Sequence, residues 1–521
     1  MKRRSFIRTT GTAVTLPMLL NGMKVSALPR TSIFNFINDE TDRVLVLIQL
    51  SGGNDGLNMV IQLDQYDNLA NVRGNILVPQ SSVLGLTDAV GLHPSMTGIR
   101  SMYDNDRLTI VQSAGYPDQN RSHFRSTDIW TSGSPANQNW TTGWLGRYLD
   151  GLYPGFPSDY PNDTYPDPFA ITMGSLVSET CQGVAANFSL TLNDPFTLGQ
   201  LVEGEPGSVP NTPYGDELTF LRTTIAQTNA YSEVVTTAAN NGSNMVTYPD
   251  GNRLAQQLKN VALLVAGGLQ TKVYVVNLGG FDTHANQVQE GDLTTGEHAD
   301  LLATLSEAMA VFQEDLSLLG IEERVISMTF SEFGRRIRSN DSLGTDHGTA
   351  APLMVFGSCV NSQILGETPE ISTSVDNDEG VAMQHDFRDV YGSILMDWFE
   401  VNETDVRSIL YENFQYLPIL RVCAAPTSTH PEADLNKETI ETNAFPNPFK
   451  NWTTISFRSG NEWGRLSVFD AAGNEVRVLS NQRFSAGEHQ IRFEAHDLPA
   501  GSYYYRLQLD GRQKTKKLIK I

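Results

Sequence analysis

Six side chains in this sequence are of the types that hold a divalent ion, and they fall into three groups, each just behind an apolar run. Asp55 follows Val44–Leu50 in Ser51-Gly52-Gly53-Asn54-Asp55-Gly56. Asp282 and His284 follow the alternating run 272–278 in Gly279-Gly280-Phe281-Asp282-Thr283-His284. Glu332 follows Val325–Phe330, and Asp346 and His347 lie further along the same polar connection, ahead of Pro352–Phe356. A mixed set of carboxylates and neutral imidazoles suits Zn²⁺, Mn²⁺ or Fe, whereas Ca²⁺ would call for more oxygens. Two such ions about 4 Å apart would stabilise the attacking and leaving oxygens of an in-line displacement at phosphorus or sulfur. The chemistry expected is therefore metal-dependent hydrolysis. Arg335 and Arg336, in the same connection, could clamp anionic oxygens bidentately or serve in salt bridges within an acidic body.

These residues need a scaffold that brings strand ends together. The continuous apolar run 44–50 is typical of a parallel strand buried on both faces. Further strands are expected at Leu108–Gln112, Phe169–Met173, 272–278, 325–330 and 352–356. Helical spacing is expected over 217–239, 253–267, 298–319 and 386–399, and a helix should start near Ser126 or Thr127. Strand and helix alternate, which predicts a doubly wound, mostly parallel α/β sheet, and in such sheets ligands collect at the carboxyl ends of the strands. Neither a GxGxxG nor a GxxxxGK[ST] pattern occurs, so a nucleotide fold gains no support. His93, His298 and His385 read as structural.

At 521 residues the chain predicts one large domain and something extra. Its net charge of −22 is uneven. Residues 1–30 carry six basic and no acidic side chains, 441–521 carry 12 basic and 8 acidic, and 31–440 keep 19 basic against 51 acidic. Such a body should repel nucleic acid and anionic membranes, because both need clustered Lys and Arg. Beyond the N-terminal segment no apolar stretch is long enough for a transmembrane anchor. Three cysteines (Cys181, Cys359, Cys423) without a CxxC exclude a zinc finger or a thioredoxin motif and allow at most one bridge.

The two ends read as addresses. Lys2-Arg3-Arg4-Ser5-Phe6-Ile7-Arg8, a weakly apolar run and Val25-Ser26-Ala27 match a twin-arginine signal peptide over 1–27, implying the twin-arginine translocase and periplasmic transit. The α/β domain is expected over 42–420. A polar, Pro- and Thr-containing linker should span 421–442, and short alternating strands over 443–521 predict a small all-β sandwich. Asn443-Ala444-Phe445-Pro446-Asn447-Pro448-Phe449, Val468-Phe469-Asp470-x-x-Gly473, Leu498-Pro499-Ala500-Gly501-x-Tyr503 and the closing Lys516-Lys517-Leu518-Ile519-Lys520 resemble the C-terminal sorting domain of the Bacteroidota type IX secretion system. That resemblance implies the type IX machinery as partner, and release from the cell or anchoring at the outer-membrane surface.

A second resemblance covers roughly 42–420. Ser51–Asn58, Ser122-His123-Phe124, 280–284, 331–336 and 344–350 resemble an exported family of unknown function related to the alkaline phosphatase/sulfatase superfamily. It implies an alkaline-phosphatase-like sheet and hydrolysis of phosphate or sulfate esters of a small molecule or glycan. Metal ligands would be Asp55, Asp282, His284, Glu332 (with Asp346 near it) and His347. The superfamily's Asp-x-x-x-His is Asp-x-His here, and its Asp-His is Ser331-Glu332. The nucleophile would be Ser122, or else Ser126, in the loop after the second strand, with His123 as neighbouring base. No Cys/Ser-x-Pro-x-Arg occurs, which disfavours a formylglycine sulfatase. The other reading is a non-catalytic surface protein that binds a partner on a phosphatase-like scaffold.

Overall fold

Alternate residues of strand β1 (Val44–Ser51) enter two different cores: Val44, Val46, Ile48 and Leu50 one of them, Leu45 and Leu47 the other. Side chains alternate across a strand, so β1 must be covered on both faces, as its unbroken apolar run predicts. The computed structural model describes residues 41–197, 213–421, 423, 442–470, 475–509 and 512–521. They form two compact units, Met1–Pro426 and Thr427–Ile521. The signal peptide expected at 1–27 and most of the linker lie outside the described residues.

In the first unit, β2 (Val60–Gln62), β3 (Leu84–Gly85) and β4 (Val90–Leu92) make a small sheet in the order β2-β4-β3. The large sheet is completed by β5 (Leu108–Gly115), β6 (Ala170–Met173), β7 (Ser189–Leu192), β8 (Val273–Gly279), β9 (Val325–Phe330), β10 (Ala351–Phe356), β11 (Gln363–Leu365) and β12 (His385–Asp386). Its order is β11-β5-β10-β9-β1-β8-β6-β7, with β12 paired to β5. The pairs β1–β8, β1–β9, β6–β8 and β6–β7 are parallel. Strand β10 runs against both neighbours, β9 and β5. The reversal matters for the site: the loop before β10 opens at the same sheet edge as the loops after β1, β8 and β9.

One face is packed by helices Thr97–Asp104, Arg253–Ala266 and Glu297–Leu318, the other by His123–Ser132, Trp144–Leu152, Phe387–Asp397 and Glu403–Ile409. The sheet is thus doubly wound. The helix expected to start near Ser126 begins three residues earlier, at His123. The Ser126 hydroxyl is buried and bonded to Tyr116 Oη at 2.8 Å and to the Glu332 carbonyl, tertiary contacts that hold this first turn. Cys359 and Cys423 form a disulfide across 64 residues, and Cys181 is free and buried.

The second unit is all-β. Strands β13 (Thr442–Phe445), β14 (Trp452–Ser459) and β17 (Gly487–Glu494) form one antiparallel sheet. Strands β15 (Glu462–Phe469), β16 (Glu475–Phe484), β18 (Gly501–Leu509) and β19 (Arg512–Lys520) form the other. Ile455 and Phe457 of β14 share one core with Leu466 and Val468 of β15 and Tyr503, Tyr505 and Leu507 of β18. Two sheets facing one apolar layer make the expected sandwich.

Candidate metal centre

The turn after β1 is shaped by two glycines at positive φ, Gly52 (+123°) and Gly53 (+80°). Neither position has room for a side chain: an added Cβ would lie 2.4 Å from Asp282 N at Gly52 and 2.2 Å from the Phe333 ring at Gly53. The turn aims its backbone N–H groups at one carboxylate. Gly52 N–H donates to both Glu332 oxygens (2.9 and 3.0 Å), and Gly53 N–H donates to Oε2 (3.0 Å). Such a nest of amides is an anion cradle, and Glu332 fills it.

Three imidazoles meet above this turn. His123 opens the helix after β5, His284 follows β8, and His347 precedes β10. Each has its Nδ1 directed at an acceptor. His284 Nδ1 lies 2.8 Å from Asp346 Oδ1, His347 Nδ1 lies 2.8 Å from the Arg121 carbonyl, and His123 Nδ1 faces Glu332 Oε1 at 3.6 Å. Carboxylates and carbonyls only accept, so in His284 and His347 the ring proton belongs on Nδ1 and the lone pair on Nε2, and the Glu332 carboxylate favours the same tautomer of His123. All three Nε2 atoms point at Asp282 Oδ1, at 3.4 Å (His123), 3.1 Å (His284) and 3.2 Å (His347). The Nε2 atoms of His284 and His347 are 2.9 Å apart, and the buried Nε2 of His123 has no hydrogen-bond partner.

Acceptor thus confronts acceptor. Arg335 Nη2 donates to Asp282 Oδ1 at 2.7 Å, and His347 Nε2 stands at hydrogen-bond distance from the same oxygen, 3.2 Å. A cation between the rings would resolve the conflict. Ligands of a tetrahedral ion with metal–nitrogen bonds of about 2.0–2.1 Å stand ~3.3 Å apart, close to the 3.1–3.4 Å between each Nε2 and Asp282 Oδ1. Ligand atoms of His123, Asp282 and His347 all lie within 4.8 Å of one another. Burial holds His347 below the ordinary histidine range, which favours the neutral, ligating ring. Burial alone would raise the Asp282 carboxyl, but Arg335 and the facing imidazoles hold it below the usual carboxylate range. Asp346 is lowered against its burial by His284 and Arg336. Second-layer acceptors that fix the tautomer of each ring are the usual companions of metal-bound histidine.

Of the six side chains anticipated as ligands, the structure brings together Asp282, His284 and His347. Glu332 and Asp346 stand one layer out, behind His123 and His284. Asp55 is elsewhere. It is fully buried, with both oxygens 3.0 Å from Arg73 Nη1, and Gln287 Nε2 donates to it as well. Burial would raise its pKa, but Arg73, His298 and Gln287 keep it lowered and ionised. His123, anticipated as a base, stands instead as a third imidazole of the centre.

The anticipated nucleophile and clamp are also placed differently. Ser122 caps the helix at 123–132 from an exposed position, and its hydroxyl has no hydrogen-bond partner among the described residues. Arg335 is buried and turned into the protein: it serves the carbonyls of Gly52, Gly53 (2.6 Å), Thr345 (2.9 Å) and Phe281 (2.9 Å) besides Asp282. It fastens three loops together and positions Asp282. Phe333, unremarked in the sequence, walls the centre, its ring centroid 4.9 Å from His123 and 4.6 Å from His347. Arg73 and Gln287 carry no signal in their own segments.

A family profile described as "Protein of unknown function (DUF1501)" matches residues 86–396, and the chain belongs to that family. A profile described as "Secretion system C-terminal sorting domain" matches residues 443–521, so the second unit is a sorting domain of the type IX system, which directs secretion to the cell surface. No curated protein matches. Among solved structures, the chain is similar to a protein in the alkaline phosphatase superfamily from Vibrio parahaemolyticus (9% identity, 71% of each chain, TM-score 0.30). It is similar also to a sulfatase from Pseudoalteromonas sp. (10% identity, 87% of this chain and 83% of that one, TM-score 0.33). A third is the alkaline phosphatase of the Antarctic bacterium TAB5 (8% identity, 60% and 92%, TM-score 0.25). Among the described residues no helix is long and apolar enough to cross a membrane.

Proposed function

We propose that this member of the DUF1501 family is a secreted, metal-dependent hydrolase of phosphate or sulfate esters, centred on His123, Asp282, His284 and His347. The observation that carries the reading is the meeting of three imidazole Nε2 atoms on one carboxylate oxygen, with the Nδ1 atoms of His284 and His347 already committed. The donor set, His123, His347 and Asp282 with His284 beside them, fits Zn²⁺, Mn²⁺ or Fe. When bound, a divalent ion supplies Lewis-acid stabilisation of charge developing on the oxygens of an ester.

The chain's own residues do the rest. Asp346, Glu332 and the Arg121 carbonyl hold the rings in one tautomer, Arg335 orients Asp282, and Phe333 keeps water from one side. Export is part of the proposal: a twin-arginine signal at 1–27, periplasmic transit, then type IX secretion, with domain limits of 42–420 and 443–521.

Metal analysis of the full chain, purified without chelator, tests the centre. Transition metal at close to one equivalent or more is expected, with loss in Asp282→Ala and His347→Ala. Metal-free protein, or retention in both variants, would sink the reading. The unpartnered Ser122 hydroxyl favours a second reading, a metal-bearing binding protein without catalysis. Metal-dependent turnover in a panel of phosphomonoesters, phosphodiesters and sulfate esters would exclude it.

A further inference from the structure

Two guanidinium groups stand beside the centre with less than their share of acceptors. Arg121 Nη1 donates to the Asp378 carbonyl (2.7 Å), and Arg336 Nη1 donates to the Asn377 carbonyl (3.2 Å). Those carbonyls belong to consecutive residues, whose Cα atoms are about 3.8 Å apart, so the two guanidiniums are neighbours. Among the described residues Arg121 has no carboxylate within 4.0 Å, and Arg336 has only Asp346 Oδ2 at 3.7 Å, whose other oxygen serves His284. Arg336 Nε is buried without a partner. The acids nearby do not pair with the two forks: Asp378 acts on Arg121 at longer range, Glu379 accepts from Asp376 N–H at 3.0 Å, and Asp118 and Glu379 line the same open cleft as Arg121. In a chain of net charge −22, two adjacent and underused guanidiniums are unfavourable unless an anion joins them.

We propose that Arg121 and Arg336 form an anion subsite that takes a second anionic group of the substrate, so that the preferred substrate is a bis-anionic ester. The inference rests on the metal-centre reading and extends it. Asp346 and the whole His284 ring lie between the Arg336 guanidinium and the point where the Nε2 atoms meet. The arginines thus stand beyond Asp346, one layer out from the Nε2 atoms. They suit a phosphate, sulfate or carboxylate elsewhere on the same molecule, within reach of the cleft beside Arg121.

The experiment is calorimetric titration of the full chain, with and without added Zn²⁺, against matched pairs: fructose 6-phosphate and fructose 1,6-bisphosphate, and a monosulfated and a disulfated disaccharide. The bis-anion of at least one pair should bind about tenfold tighter than its partner. The ratio should fall to below about threefold in Arg121→Gln and in Arg336→Gln, with Arg336→Lys intermediate because a point charge replaces a fork. Which pair responds names the anion. Equal binding within both pairs, or a ratio unchanged in the Gln variants that still melt as the parent does, would overturn the subsite. A preference that survives without zinc, in a chain that takes up none, would leave the subsite standing while the centre falls. Zinc uptake without any preference would do the reverse.

Discussion

Two polar clusters lie at the same edge of one sheet, and they are built on opposite terms. The lower one joins Asp55, Arg73, Gln287, Asn54 and His298. It is sealed from solvent, and its charges are balanced, carboxylate against guanidinium. The upper one joins His123, Asp282, His284 and His347. It is partly open and has three lone pairs and a carboxylate facing a single guanidinium. Both begin with an aspartate in a glycine-bearing turn after a buried strand. What separates the two aspartates is what faces them: Asp55 has Arg73 and Gln287 as donors, and Asp282 has Arg335 and three imidazole Nε2 atoms.

The strongest way to break this contrast is through the lower cluster. Asp55→Ala strands a buried guanidinium and should destabilise the first unit by about 3–5 kcal/mol in denaturant unfolding. A loss below about 1 kcal/mol would mean that Asp55 is not the sealed ion pair described. Acid should act on the same cluster next. Burial, assisted by Arg335 and Arg73 and opposed by Asp55, holds His298 down to about 4 from an ordinary 6.5. The unfolded chain therefore takes up the proton first. This part of the stability is intact above pH 6.5 and is lost as pH falls towards 4, by about 3 kcal/mol. His93, held to about 3, acts in the same sense. Melting curves from pH 7 to 4.5 should show the slope, and His298→Gln should flatten it.

The upper cluster predicts the converse, a large effect on metal and a small one on folding. Asp346→Asn leaves a ring orienter without charge and should weaken metal affinity by about 10–100-fold in a chelator competition. The midpoint of unfolding of the metal-free chain should barely move, since the Asp346 side chain is only half-buried. A variant that lost stability and kept its metal would blur the two clusters into one. Ser122→Ala is the mildest test. With no base on its hydroxyl, the substitution should change metal content and any esterase rate by less than about twofold, and a loss of about a hundredfold or more would restore it as the nucleophile.

Much of the frame was legible because burial leaves a trace in sequence. The run at 44–50 announces a two-faced strand, and the helices at 253–266 and 297–318 lie where helical spacing put them. The site was legible as a set of loops and less so as a set of roles. Asp55 and Asp282 look alike in sequence, and only Arg73, eighteen residues on, and Gln287, in another loop, separate them. Glu332 sits after its strand as a ligand would, yet the amides of Gly52 and Gly53, almost three hundred residues away, claim it. Tertiary partners decide such roles, and hydropathy or spacing does not encode them.

The reversal of β10 has a consequence for how such a site can be rebuilt. Because β9 and β10 run in opposite directions, the connection 331–350 leaves and rejoins the sheet at one edge and carries Glu332, Arg335, Arg336, Asp346 and His347 on a single span. It is a cassette. Its outer part is bonded to the segment that carries His284: Asn340 Nδ2 donates to the His284 carbonyl, and the carbonyls of Ser342 and Leu343 accept from the N–H groups of Asn286 and Gln287. A change of length at the tip should therefore move His284 as well, and a graft of the whole span would move an orienting layer into a new sheet while leaving the host to supply Asp282, His284 and His123.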